Sequence, residues 1–291
     1  MPVPSPHETT HNDQIKGAAL VLCSLITQNV GATCAKHLFI AIGAAGVAAL
    51  RIGLAALILM AFRRPWRRGF PLESWKPLIL YGAGLGLMNL LFYQAFARIP
   101  IGLAIAIEVA GPVLISLLGS RTLKDFLWIG LIITGLAFLL PLHAGNHLDP
   151  VGVLFAAGAG LCWVFYVLFG KSVSARLGLD APAWGMSVAT VLIVPVGIST
   201  AGGTLFLPSV LFQGLIVAVL SSALPYSIEI KALRLLPASL FSTFLSTSPA
   251  IGSLAGFFIL GEHLTMLQLM AIICITTAAI GSSLTPRQKQ V

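Results

Sequence analysis

Residues 100–125, PIGLAIAIEVAGPVLISLLGSRTLKD, can be laid over residues 237–262, PASLFSTFLSTSPAIGSLAGFFILGE, by a constant shift of 137. Pro100 then falls on Pro237, Pro112 on Pro249 and Asp125 on Glu262, so two prolines twelve apart begin and interrupt an apolar run in each copy. A shift of 135 places Gly17 on Gly152 and Lys36 on Lys171, bracketing a second matched pair of runs. The identities are few but ordered, and an internal repeat constrains the fold more than any single segment does.

Working outward from that pair, ten apolar stretches of roughly 17 to 25 residues, the length a helix needs to cross hydrocarbon, lie near 16–36, 44–62, 76–98, 101–119, 126–141, 151–170, 182–201, 209–229, 238–260 and 265–284. The run Arg63, Arg64, Pro65, Trp66, Arg67, Arg68 separates the second from the third, and Pro100, Pro150, Pro208 and Pro237 stand where helices restart. Five crossings per half is an odd number, so the second half enters the membrane inverted relative to the first. The predicted fold class is therefore an all-α integral membrane protein, with ten transmembrane helices forming two inverted five-helix repeats. Their bounds are 16–142 and 150–285, with a cytoplasmic segment at 1–15 and a cytoplasmic tail at 286–291.

Composition agrees. The chain is 57% hydrophobic and 9% charged, about a third of the charge density of a soluble domain, so lipid rather than water must cover most of its outside. With the N-terminus in the cytoplasm, 14 of the 17 Lys and Arg fall inside, leaving Lys36 and Arg98 at outer ends and Arg51 within a span. That asymmetry accounts for most of the formal charge of +8, because anionic inner-leaflet lipid attracts such loops. The basic residues form short clusters without an aromatic-rich face, which excludes nucleic acid as a partner. Residues 1–14 carry no basic stretch ahead of the first apolar run, so that run is read as a retained helix rather than a cleaved signal.

Cys23, Cys34, Cys162 and Cys274 lie singly within apolar runs and lack metal-ligand spacing. His143 and His147 stand four apart in a short loop with no further ligands, so no metal or other cofactor is predicted. Gly170, Lys171 and Ser172 imitate the end of a phosphate-binding loop, but its first glycine would be Phe165. No catalytic constellation stands at membrane depth, which argues against an enzyme.

Arg51 in the second run and Glu108 in the fourth are charges that neither loops nor snorkelling explain. Each costs roughly 2.5 to 3.5 kcal/mol at a helix centre, so each needs a partner or a wet cavity. Two readings follow. In one they form an architectural ion pair; in the other Arg51 holds a substrate carboxylate with its planar fork while Glu108 takes an ammonium or carries a coupling proton. Asn89 and Tyr93, four apart, add hydrogen-bonding groups on one helix face, with Gln94 beside them. Ser221, Ser222, Tyr226 and Glu229 do so in the eighth run, where Glu229 near Lys231 reads as an interfacial ion pair. Pro112, Pro225 and Pro249 are hinge candidates, since each removes a main-chain hydrogen bond. Gly82 with Gly86, and Gly252 with Gly256, have spacings suited to close helix contact.

The order of these residues resembles the drug/metabolite transporter superfamily in its ten-helix EamA branch, and most closely bacterial threonine/homoserine exporters. The resemblance runs from about Gly17 to Thr285. Its pieces are the ALR ending at Arg51, the run Met88-Asn89-Leu90-Leu91-Phe92-Tyr93, and the E-x-x-G-P of Glu108, Gly111 and Pro112. Leu224-Pro225-Tyr226-Ser227-Ile228-Glu229 and Gly261-Glu262-x-Leu264 complete the series.

The resemblance implies a multi-pass bacterial inner-membrane secondary transporter, an antiporter driven by protons, that exports small zwitterionic amino acids. It also implies a central cavity among the first, third, fourth, sixth, eighth and ninth helices. Where related sequences carry an acidic residue before the proline of the ninth helix, this chain has Ser248. The expected substrate-binding set is Arg51, Asn89, Tyr93, Glu108 and Tyr226, with Glu108 as the coupling candidate. The alternatives are an exporter of aromatic amino acids or hydrophobic and cationic drugs, using Tyr93, Trp163 and Tyr226, and a non-transporting membrane scaffold subunit in which Arg51 and Glu108 only pair.

Overall fold

A computed structural model describes residues 11–69, 75–118, 123–138, 148–232, 235–236 and 238–284. His143 and His147 lie outside these residues. All regular structure among the described residues is helical. The first seven helices are α1 (His11–Ala35), α2 (Phe39–Arg63), α3 (Trp75–Phe96), α4 (Ile101–Leu118), α5 (Leu123–Phe138), α6 (Pro150–Leu177) and α7 (Ala181–Ala201). They are followed by α8 (Pro208–Ala218), α9 (Leu224–Ala232), α10 (Ala238–Leu245), α11 (Ser248–Leu260) and α12 (Met266–Leu284).

The sequence explains where helices start and stop. Pro150 and Pro208 occupy first-turn positions, where a missing N–H costs nothing, and Asp149 caps α6 by accepting from Val151 N at 2.8 Å. The chain passes from α1 to α2 through a 3₁₀ turn at Lys36–Leu38, and α2 is itself kinked near its start at Gly43, whose φ of 66° suits glycine. α8 runs without a gap into a π turn, Val219–Ala223, and on into α9. α10 and α11 join through a turn at Ser246–Thr247, and Pro249 sits in the first turn of α11. The two matched prolines therefore act differently: α4 runs continuously through Pro112, whereas the chain breaks before Pro249 and restarts there. Of these two hinge candidates, Pro112 removes a hydrogen bond within its helix, whereas Pro249 stands in a first turn where no such bond is lost.

Among the described residues, four helical stretches are long and apolar enough to cross a membrane: Asp13–Arg63, Trp75–Phe96, Pro150–Phe206 and Thr243–Leu260. The first and third hold two helices each, and the fourth joins the end of α10 to α11 across the turn at Ser246–Thr247. Shorter apolar helices include Ile101–Leu114, Phe126–Phe138, Pro208–Ala223 and Met266–Ser282. The surface has the polarity of a protein solvated by lipid. Ile40, Phe62, Phe258 and Leu154 are 95, 85, 78 and 71% exposed, while Arg51, Asn89 and Glu108 are buried. In water each exposed side chain would forgo roughly 1.5–3 kcal/mol of burial, a loss that hydrocarbon does not impose.

Helices from the two ends of the chain interleave. α3 packs along α6 and α7, α2 along α7, α1 along α9 and α11, and α4 along α6 and α11, while α5 pairs with α12. Glycine sets the α4–α6 approach. A Cβ on Gly111 would lie 2.7 Å from the Gly160 carbonyl carbon, and one on Gly160 would lie 2.7 Å from the Glu108 carbonyl oxygen, so neither position has room for a side chain. Gly82 and Gly86 likewise seat α3 against α7, and Gly252 and Gly256 seat α11 against α4 and its neighbours.

One end of the bundle is tied by charge. Lys36 Nζ meets Glu262 Oε1 at 2.7 Å, and Glu262 Oε2 accepts from Ile101 N at 3.1 Å, capping α4 with a carboxylate from 161 residues away. At the same end Arg98 Nη1 meets Asp149 Oδ2 at 2.8 Å. That hydrogen bond, with another from Val151 N, holds the Asp149 carboxyl below its ordinary range. Gly102 leaves space for nothing but Ser253.

Candidate functional site

The apolar core surrounds a cavity of about 420 Å³. Its wall includes residues from α1 (Leu25, Gln28, Asn29, Ala32), α2 (Arg51), α3 (Met88, Asn89, Phe92) and α4 (Ile105, Glu108). Residues of α6 (Trp163, Tyr166, Val167), α7 (Pro182), α9 (Glu229), α10 (Phe241, Leu245) and α11 (Ser248) complete it. Pro182, Phe241 and Glu229 lie near helix ends opposite the Lys36–Glu262 clasp, so the cavity extends toward one end of the bundle while the clasp ties the other.

Arg51 is the best-anchored group on this wall. Its Nε donates to Ser222 Oγ at 3.0 Å, its Nη2 to the Ser221 carbonyl at 2.9 Å and its Nη1 to Tyr93 Oη at 3.4 Å. The Tyr93 ring lies 5.4 Å from the guanidinium carbon, within cation–π range. The Ser221 acceptor exists for a local reason. In an α-helix its carbonyl would take the N–H four residues on, but that residue is Pro225, which has none. The π turn at Val219–Ala223 presents Ser221 and Ser222, both fully buried, toward Arg51. A guanidinium has five N–H donors. Three are used here, leaving one on each terminal nitrogen, the pair that forms a two-point contact with a carboxylate.

Glu108 lines the same cavity within electrostatic reach of Arg51. Among the described residues the ion pairs are Lys36–Glu262, Arg68–Asp180 and Arg98–Asp149, so Arg51 and Glu108 do not form a direct pair. Asn89 lies on the wall and spends one N–H on the Leu85 carbonyl at 2.8 Å, keeping its Oδ1 for other use. Asn29 is similar, donating to the Leu25 carbonyl at 2.8 Å and to Ser248 Oγ at 3.3 Å. Ser248, the residue in place of an acid, thus belongs to the wall.

The structure brings together Arg51, Asn89 and Glu108 of the expected set. Tyr93 is fully buried behind Arg51 and braces it rather than lining the cavity. The Tyr226 side chain lies outside the described residues. Glu229 differs from expectation. It lines the cavity and accepts from Ser24 Oγ at 2.7 Å, while Lys231 is exposed and forms no ion pair with it. Gln28, Asn29 and Ser24 were not singled out from sequence, although polar side chains in the middle of an apolar run were the available signal. No cluster of three or more metal-ligating side chains exists among the described residues.

The EamA-like transporter family matches over residues 150–284. The threonine/homoserine exporters RhtA of Escherichia coli (strain K12) and Salmonella typhimurium (strain LT2) are each 44% identical over 271 residues, covering 93% of this chain and 92% of theirs. The uncharacterized inner membrane transporter YedA of Escherichia coli (strain K12) is 25% identical over 252 residues, covering 80% of this chain and 79% of its own. A crystal structure with 18% identity superposes with a TM-score of 0.57 over 93% of this chain and 97% of that one, a likeness of fold alone.

Proposed function

Because the chain belongs to the EamA-like transporter family, we propose that it is an inner-membrane secondary carrier that exports small zwitterionic amino acids of the threonine and homoserine kind in exchange for protons. The observation that carries this reading is Arg51. It is an intramembrane guanidinium fixed on three sides, with two donors left and no carboxylate among the described residues in contact with it. A substrate carboxylate fits that fork, and Glu108 on the same wall accepts the substrate ammonium or carries the coupling proton. The amide oxygens of Asn29 and Asn89 and the hydroxyl of Ser248 suit the hydroxyl of a small side chain.

Among the described residues, α1 to α12 support ten crossings when α8, the π turn and α9 are counted as one rod and α10 with α11 as another. Positive-inside counting puts both termini in the cytoplasm. In that orientation the Lys36–Glu262 clasp is external and the Pro182 end faces the cytoplasm, the arrangement of a carrier receiving internal substrate. An inverted repeat with its site between the halves suits rocking between this state and its opposite. The scaffold reading requires Arg51 to be satisfied by Glu108, and the described ion pairs do not include that contact.

The test is efflux of labelled threonine and homoserine from loaded proteoliposomes, with and without an imposed pH gradient, for the native protein and Glu108→Gln. Gradient-stimulated efflux that the variant loses is the expected result. Absence of efflux of either amino acid from folded native protein would refute the proposal.

A further inference from the structure

We propose that Glu229 is a proton-carrying residue of this cavity, distinct from the Arg51 and Glu108 groups that hold substrate, and that Ser24 transmits its state to the substrate end. The inference rests on the carrier reading above.

Charge balance motivates it. The cavity wall holds Glu108, Glu229 and one guanidinium. A zwitterion seated between Arg51 and Glu108 leaves that group of charges neutral, so the charge of Glu229 is left over. A carboxylate engaged by an ammonium is also not free to carry a proton at the same moment. Glu229, toward the opposite end from the clasp, is.

The contacts supply the transmission. Ser24 is fully buried, and its Oγ lies 2.7 Å from Glu229 Oε1 and 3.4 Å from the Pro225 carbonyl. One hydroxyl hydrogen thus has two acceptors. With the carboxylate ionised, the hydrogen goes to Oε1. When a proton from the aqueous cavity binds Oε1, the acid donates to Ser24 Oγ and the hydroxyl hydrogen turns to the Pro225 carbonyl. The proton leaves by the reverse exchange once the cavity faces the other side.

Either state changes what ties α1 to α9. α1 also abuts the π turn, since a Cβ on Gly31 would lie 2.8 Å from Leu220 Cβ and 2.9 Å from Ser221 N. Ser221 and Ser222 anchor Arg51. Ser221 stands eight residues from Glu229 on the same rod, about 12 Å along it. Proton and substrate groups are therefore joined by contiguous packed elements.

The ionisable surroundings leave Glu229 without an ion-pair partner among the described residues. Lys231 on its own helix is exposed. α1 presents Cys23 and Lys16 outward and carries Asp13 in its first turn. Across the cavity stand Tyr166, Arg51 and Glu108.

Two transport modes separate coupling from binding in reconstituted protein: exchange of labelled for unlabelled homoserine without a gradient, and net efflux driven by a pH gradient. Glu229→Gln is expected to keep exchange and lose the gradient stimulation, with Ser24→Ala reducing stimulation in the same sense. Retained exchange also shows that the variant folds. Full stimulation in Glu229→Gln overturns the proposal, and so does loss of both modes, which would make Glu229 a binding or structural residue. Failure of the native protein in both modes would instead refute the carrier reading itself.

Discussion

Replacing Arg51 with lysine keeps the positive charge and most of the side-chain length, so it isolates the contribution of the guanidinium fork. In the structure three N–H groups serve Ser222, the Ser221 carbonyl and Tyr93, and the remaining two are free for a ligand. An ammonium has three donors and no planar pair. Once it satisfies Ser222 and the Ser221 carbonyl, one donor remains, and the substrate carboxylate keeps its Coulomb attraction but loses one of two charge-assisted hydrogen bonds. Such a bond contributes about 1.5–3 kcal/mol, which corresponds to a roughly 10- to 150-fold rise in the substrate concentration that half-saturates exchange. The assay is counterflow of labelled threonine in proteoliposomes across a range of substrate concentrations, with the amount of folded carrier measured in parallel. Half-saturation within a factor of about two of the native value, with folded protein, would show that the fork does not hold the substrate.

Two further outcomes follow from the packing. Glu262→Gln weakens the tie among Lys36, Glu262 and the start of α4, so a cysteine placed at Ile105 should react faster with an impermeant thiol reagent added from the Lys36 side; an unchanged labelling rate would show that the clasp does not restrain that end. Gly160→Ala presses a methyl group to 2.7 Å from the Glu108 carbonyl and should destabilise the protein by about 1–3 kcal/mol, whereas Gly130→Ala, with nothing within 4 Å, should not; equal thermal stability of the two variants in detergent would refute the close α4–α6 contact.

Much of this arrangement was legible in the sequence, for identifiable reasons. Long apolar runs are forced by the thickness of hydrocarbon, and Arg51 and Glu108 were conspicuous because a charge inside such a run needs an explanation. What failed was the reading of neighbours. Glu229 and Lys231 are close in sequence, but residues two apart on a helix do not face each other, and the carboxylate turns inward to Ser24 while the lysine stays exposed. Asn89 and Tyr93 share a helix face, yet one lines the cavity and the other, a turn further on, is buried as a brace for Arg51. The π turn has no residue pattern of its own. Pro225 marked the place without revealing that the rod would widen before it. The matched prolines read alike as hinge candidates, but the second acts as a helix start because the chain turns just ahead of it.

The carbonyl that Pro225 leaves to Arg51 sets heat resistance against purpose at one peptide unit. Residues with an N–H at that position would offer the Ser221 carbonyl a partner within its own helix and so repair the backbone, and by doing so would compete with the guanidinium for it. Any campaign that ranks variants of this protein by melting temperature alone will therefore tend to collect changes at Pro225 that favour the rod and unseat Arg51.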